Sequence, residues 1–213
     1  MLERRQFFAT AAGLALLLGV AAAQAAAPET SNVMPATGGT AAQQMLTLEP
    51  EAQALAARAG VWDMTQTNWS SPTAAPITIP GLVAERQMIG PFLQEVAHPA
   101  SDNSATPFTR LDYLTFNRVE GGWQYVSMDT RSSSGIMPAW SLGRDPADRI
   151  ELVFQPFAIA GSGSEVKGQM LRLEQIIAHE GPDRDVKDQY FRLADGVGTK
   201  WLARRYTYTR RSS

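Results

Sequence analysis

The sequence predicts an all-β domain: an antiparallel meander of about eight to ten strands that closes into a barrel, preceded by one short helix. Three observations predict it. From Val61 onward, β-rich runs are separated by turn residues at roughly eight-to-twelve-residue spacing, the cadence of a barrel or a two-sheet sandwich. Only one segment, Glu51 to Ala59, competes as a helix. The chain has no cysteine, so the fold rests on its apolar core, and about 165 residues from Leu48 onward suffice to bury one.

Each segment has its own reason. Arg4 and Arg5 precede an apolar, Ala-rich run from Phe7 to Ala23 that is too short to anchor a helix across a bilayer. Ala23-Gln24-Ala25 supplies the small-residue cleavage pattern, so residues 1–25 read as a signal peptide and the mature chain as starting at Ala26. Arg4-Arg5-Gln6-Phe7 resembles a twin-arginine signal, although Glu3 replaces the usual serine or threonine; a Sec signal with two arginines is the other reading. Either route places the protein in the periplasm or the medium, with no stable membrane insertion after cleavage. Residues 26–47, rich in Ala, Thr, Gly, Pro and Gln, offer too little apolar surface to offset the entropy of ordering and read as a flexible leader. The barrel domain is expected over 48–211.

Pro50 suits a first helical turn, and Gly60 is a natural stop after Ala59. Leu48, Ala52, Leu55 and Ala59 fall on one stripe. In Arg149 to Gln155 the apolar Ile150, Leu152 and Phe154 alternate with Arg149, Glu151 and Gln155, with Val153 as the exception. Gln169 to His179 forms a second strand with Leu171, Leu173 and Ile177 on one face. Leu111 to Phe116 and Trp123 to Met128 form a hairpin across Gly121-Gly122. Further turns fall at Asp145-Pro146, Gly181-Pro182-Asp183 and Asp195-Gly196. A meander of this length hides its edges by closing, and an eight-to-ten-strand barrel is wide enough for one small ligand.

Charge excludes one class of partner. Losing residues 1–25 removes Glu3, Arg4 and Arg5, which takes the 19 basic and 21 acidic residues to 17 and 20, a net −3. Nucleic acid or an anionic membrane surface calls for a basic excess or stripe, which is absent before Arg204, Arg205, Arg210 and Arg211. That tail reads as the solvated face of a terminal strand.

Gly60-Val61-Trp62 looks like the G-x-W entry of lipocalin-like barrels. Later blocks follow in order: Glu85 to Leu93, Leu111-Asp112-Tyr113, Trp123 to Val126, Asp195-Gly196 with Lys200, and Tyr206 to Arg210. Together these resemble an uncharacterised family of secreted bacterial lipocalin-like, calycin-type domains over most of residues 50–210. The resemblance implies a β-barrel in which Trp62 closes one end, and it implies no chemistry. Pro91 and the order Asp112-Tyr113 depart from the pattern, so no polar site residue carries over.

The residues themselves name no catalyst, metal or cofactor. His98 and His179 lie on different strands without a carboxylate at ligand spacing. His179 shares parity with Leu171, Leu173 and Ile177 and reads as a strand-end histidine at the barrel mouth, whereas His98, before Pro99 and a polar loop, reads as exposed. Gly161 to Ser164 lacks the order of a phosphate loop or nucleophile elbow, and Arg131 to Gly135 reads as a serine-rich turn. Arg86 and Asp112 sit among apolar neighbours, where a charge must be paired or hydrated. The leading expectation is a periplasmic barrel that binds a small, largely apolar molecule, with Trp62, Arg86, Tyr113 and Trp140 in the wall of the site. An envelope interaction module that pairs through an exposed sheet face, as a homodimer for example, is the second reading. A barrel isomerase or cyclase using a lumenal carboxylate or His179 is the third.

Overall fold

The computed structural model describes residues 50–101, 107–160 and 166–212. The expected signal peptide, leader, Leu48 and the Gly161–Ser164 loop lie outside them. Helix α1 (Pro50–Ala56) is followed by β1 (Gly60–Asn68), β2 (Ile77–Ile89), β3 (Phe92–Pro99), β4 (Arg110–Asn117) and β5 (Gly122–Asp129). After these come β6 (Ile136–Trp140), β7 (Arg149–Phe154), β8 (Phe157–Ala160), β9 (Val166–Gly181), β10 (Arg184–Leu193) and β11 (Trp201–Arg210). Neighbouring strands are antiparallel, in the order β10-β11-β1-β2-β3-β4-β5-β6-β7-β9-β8, and a β9–β10 pairing closes the ring. Because β8 pairs only with β9, the closed barrel has ten strands. The expected two-sheet alternative is therefore set aside.

Alternation decides what fills the interior. On β7, Ile150, Leu152 and Phe154 are buried, and on β9 so are Leu171, Leu173, Gln175 and Ile177. The β4–β5 hairpin forms in the expected register, Asn117 opposite Gly122, with Gly121 at φ +71° in the turn. Strand β9 is longer than expected because its first residues, from Val166, pair with β8.

The helix is shorter than its sequence suggests. It ends at Ala56, where the amides of Arg58 and Ala59 turn back to the carbonyls of Leu55 and Ala56. Gly60 is the first residue of β1 rather than a helix stop. Its φ of +128° and the 2.9 Å that a Cβ would leave to Arg210 Nη1 both require glycine there. Ala52 and Leu55 are buried, while Ala59 is only half-buried.

All ten ring strands alternate, so one barrel end gathers the β2–β3, β4–β5, β6–β7 and β9–β10 connections together with the start of β1. Helix α1 covers this end, with Leu55 packed in a cluster with Leu93, Leu114, Trp123 and Ile177. Arg144 of the β6–β7 connection pairs with Glu51 of the helix. A second apolar cluster holds Trp62, Met64, Leu82, Ala84, Ala97, Phe108, Tyr206 and Tyr208. Trp62 sits under the chain that leaves the helix, its Nε1 donating to the Arg58 carbonyl at 3.1 Å.

Candidate functional site

Interior positions on four strands carry ionised groups. Arg86 of β2, Glu95 of β3 and Asp112 of β4 stand opposite one another across the sheet. Arg110 shares parity with Asp112, and Asp185 and Lys187 share an interior face of β10. All six are buried, as is Arg58 from the turn after α1.

They form one connected network. Arg86 Nε donates to Glu95 Oε2 at 2.8 Å and its Nη1 to Asp185 Oδ2 at 2.5 Å. Lys187 Nζ bridges Glu95 Oε1 at 2.8 Å and Asp112 Oδ2 at 2.9 Å. Arg110 closes on Asp112 through Nε at 3.0 Å and Nη2 at 2.5 Å. Tyr208 donates its hydroxyl to Glu95 Oε1 at 3.1 Å. Aromatic faces complete the lining: Arg86 lies 4.8 Å from the Trp62 ring and 4.3 Å from the Tyr208 ring, and Arg110 lies 4.5 Å from the Tyr206 ring.

The electrostatics follow from these contacts. Burial alone would lift the Glu95 carboxyl, but Lys187 and Arg86 outweigh it and hold it at about 2. Asp112 is likewise lowered, burial being overcome by Arg110 and Lys187. Burial would also lower the three cations Arg86, Arg110 and Lys187, yet their carboxylate partners leave each of them raised. Tyr208 is pushed up to about 12, by burial first and then by Glu95. A general acid or base works best near the operating pH, and these carboxyls are far below neutrality. Glu95 and Asp112 are thereby held as carboxylates. His179, half-buried at the covered end, places Nδ1 at 2.6 Å from Asp185 Oδ1. His98 is half-buried rather than exposed, with Nδ1 at 2.8 Å from the Pro99 carbonyl.

The four expected wall residues do not share one wall. Trp62 and Arg86 point inward and pack on each other, so they fill the lumen instead of lining a ligand space. The gap beside Arg86, bordered by Arg58, Glu95, Asp112, Tyr125 and Lys187, measures about 20 Å³. That admits a single water-sized particle. Tyr113 and Trp140 have the opposite parity and lie together on the outside of the barrel.

There they line a groove of about 520 Å³ across β4, β5 and β6, with Phe92, Val126, Pro138 and Leu142. Its position follows from register: Tyr113 stands opposite Val126, and Gln124 opposite Trp140. Phe92 and Trp140 are 43% and 41% exposed and Leu142 is 83% exposed. Polar groups occur at its edges, including the Tyr113 hydroxyl, which accepts from Gln94 Nε2 at 2.5 Å, and the side chains of Glu120 and Gln124.

Sequence reasoning missed Glu95, Arg110, Asp185, Lys187 and Arg58. A readable signal existed for two of them, Glu95 and Arg110. Glu95 alternates in phase with Leu93 and Ala97, and Arg110 and Asp112 with Leu114, so each shares a face with buried apolar residues.

Neither a protein-family model nor a curated protein sequence matches the chain. Among solved structures, that of Rv2717c from M. tuberculosis matches at 20% identity, over 78% of this chain and 100% of its own, with a TM-score of 0.49. A likeness at that level carries no argument about function.

Proposed function

We propose that this protein is a cell-envelope binding module that holds one small, largely apolar molecule on the outside of its barrel, in the groove across β4, β5 and β6. The observation that carries this reading is the groove itself. Its volume of about 520 Å³ falls in the range of small-molecule sites, roughly 300–1,000 Å³, and its walls are mainly aromatic and aliphatic with a few polar groups to orient a ligand. Large apolar side chains are left partly in water there, and a ligand that covers Phe92, Trp140 and Leu142 recovers that surface. The envelope location rests on the Arg4-Arg5 leader and the Ala23-Gln24-Ala25 cleavage pattern.

A homodimer through the same face is the second reading. It is favoured by the short β6, which meets β7 at only Ala139 and Trp140 and carries the exposed Ile136. Strand-to-strand addition at that edge is disfavoured by Pro138, which has no N–H to contribute.

The test is a fluorescence titration of the mature protein with anilinonaphthalene sulfonate, an apolar probe with one charge. The expected result is saturable binding at one site, weakened at least tenfold in Trp140→Ala. Binding that is unsaturable, or indifferent to Trp140→Ala, overturns the assignment. Sedimentation of the same samples separates the dimer reading, in which Trp140→Ala would change mass instead.

A further inference from the structure

Among the described residues four buried cations, Arg58, Arg86, Arg110 and Lys187, face three buried carboxylates, Glu95, Asp112 and Asp185. The carboxylates are committed to Arg86, Arg110 and Lys187. Arg58 is the cation left over. It is 2% exposed, makes no ion pair with a described residue, and donates instead to the Ala147 carbonyl. Asp185 and Asp148 act on it from beyond ion-pair distance, and burial still lowers it from its ordinary value, the reverse of the other three. A buried charge without a counterion is costly.

A second, independent observation lies at the same place. The Tyr125 hydroxyl is buried and has no hydrogen-bond partner. Tyr125 and Arg58 both line the gap of about 20 Å³, together with Arg86 and Lys187. Beside the apolar Leu93, Leu114 and Ile177, the gap is thus bordered by an orphaned hydroxyl residue and three cationic ones, around space for one monatomic particle.

We propose that this gap is a binding site for a single monovalent halide ion, chloride in practice, held by Tyr125, Arg58 and Lys187 as the missing counterion of the barrel interior. Size limits the ligand class: phosphate, sulfate and carboxylates are too large. Charge sets the sign, because Arg58, the buried cation without a carboxylate partner among the described residues, borders the gap. Glu95 and Asp112 also border it, and their repulsion opposes the ion.

The site is tested by thermal unfolding of the full mature chain at constant ionic strength, with sodium gluconate exchanged stepwise for sodium chloride or bromide. Crystals grown at the bromide concentration that saturates the solution effect are then examined by anomalous scattering. The expected result is a saturable, halide-specific rise in melting temperature and an anomalous peak between Arg58 and Tyr125. Arg58→Met removes both the surplus charge and the need for a counterion, so its melting temperature is expected to be indifferent to halide. Tyr125→Phe keeps the ring and raises the half-saturating concentration about tenfold, the effect of one hydrogen bond to a charged partner. If Arg58→Met does not fold, Tyr125→Phe decides alone. Identical unfolding in gluconate and chloride overturns the proposal, because the gap then holds water. So does a halide effect of equal size in wild type and Tyr125→Phe, or a peak only at bromide far above the solution range, which is binding at crystal concentration only.

Discussion

Replacing Lys187 by Met keeps most of the volume of the side chain and removes its charge from the centre of the barrel. In the wild type Lys187 Nζ bridges Glu95 Oε1 at 2.8 Å and Asp112 Oδ2 at 2.9 Å, all three groups being buried. Without it Glu95 keeps Arg86 at 2.8 Å and a longer contact of 3.5 Å to Arg110, and Asp112 keeps Arg110 at 2.5 Å. Removing one partner from a buried pair costs about 3–5 kcal/mol, because the carboxylate left behind is desolvated and under-compensated. For a domain of this size that corresponds to a fall in melting temperature of roughly 6–20 °C. The acid limb carries a second signature. Glu95 is depressed from 4.5 to about 2, so its contribution, about 3 kcal/mol, is complete above the unfolded value and is lost as pH falls through about 2. With Lys187 gone the folded value rises, and the loss shifts to higher pH. Urea unfolding at neutral pH and at a series of acidic values measures both effects. A loss below about 1 kcal/mol, the scale of an exposed pair, with an unchanged acid limb would refute the reasoning.

Trp62→Ala is expected to cost about 3–5 kcal/mol in chemical denaturation, since it empties a fully buried site and uncovers Arg86. Gly60→Ala forces a side chain into φ +128° beside Arg210, and a loss of about 1–3 kcal/mol is expected by the same assay. Trp140→Ala, at a partly exposed position, should change stability by no more than about 0.5 kcal/mol while removing probe binding, so unfolding and titration together separate the roles. On the alkaline side, Tyr208 is raised from 10.0 to about 12; the protein is expected to keep the stability of its neutral phenol up to pH 10 and to lose it as pH rises through 12, followed by circular dichroism.

The barrel was legible because its evidence is local. Ile150, Leu152 and Phe154 announce one buried face, and Gly121-Gly122 announces a turn, whatever the rest of the chain does. Closure was the expectation for a meander of this length, with a two-sheet sandwich as the alternative, and the pairings of the ring decide for the barrel. The charged interior was half legible. Arg86 and Asp112 had to be paired or hydrated, but Glu95 becomes the shared neighbour of both only through the register of β2, β3 and β4, which no local pattern encodes. Charge by itself ordinarily marks a wet face and competes with the phase signal of Leu93 and Leu114; the charges are inside here because opposite charges meet across the barrel. Tyr113 and Trp140 were not separated from Trp62 and Arg86 by sequence: period-two patterning gives relative parity within a strand, and which parity faces out is a property of the whole barrel. Arg58 was read as part of a helix, and its plug-like insertion depends on the chain turning at Ala56.

Native mass spectrometry of the mature protein purified from its own compartment tests the outer-groove site most directly. The expected result is a discrete small-molecule adduct on the monomer, lost in Trp140→Ala and kept in Tyr125→Phe. A bare monomer, or an adduct indifferent to Trp140→Ala, would contradict a ligand site on the outside of this barrel.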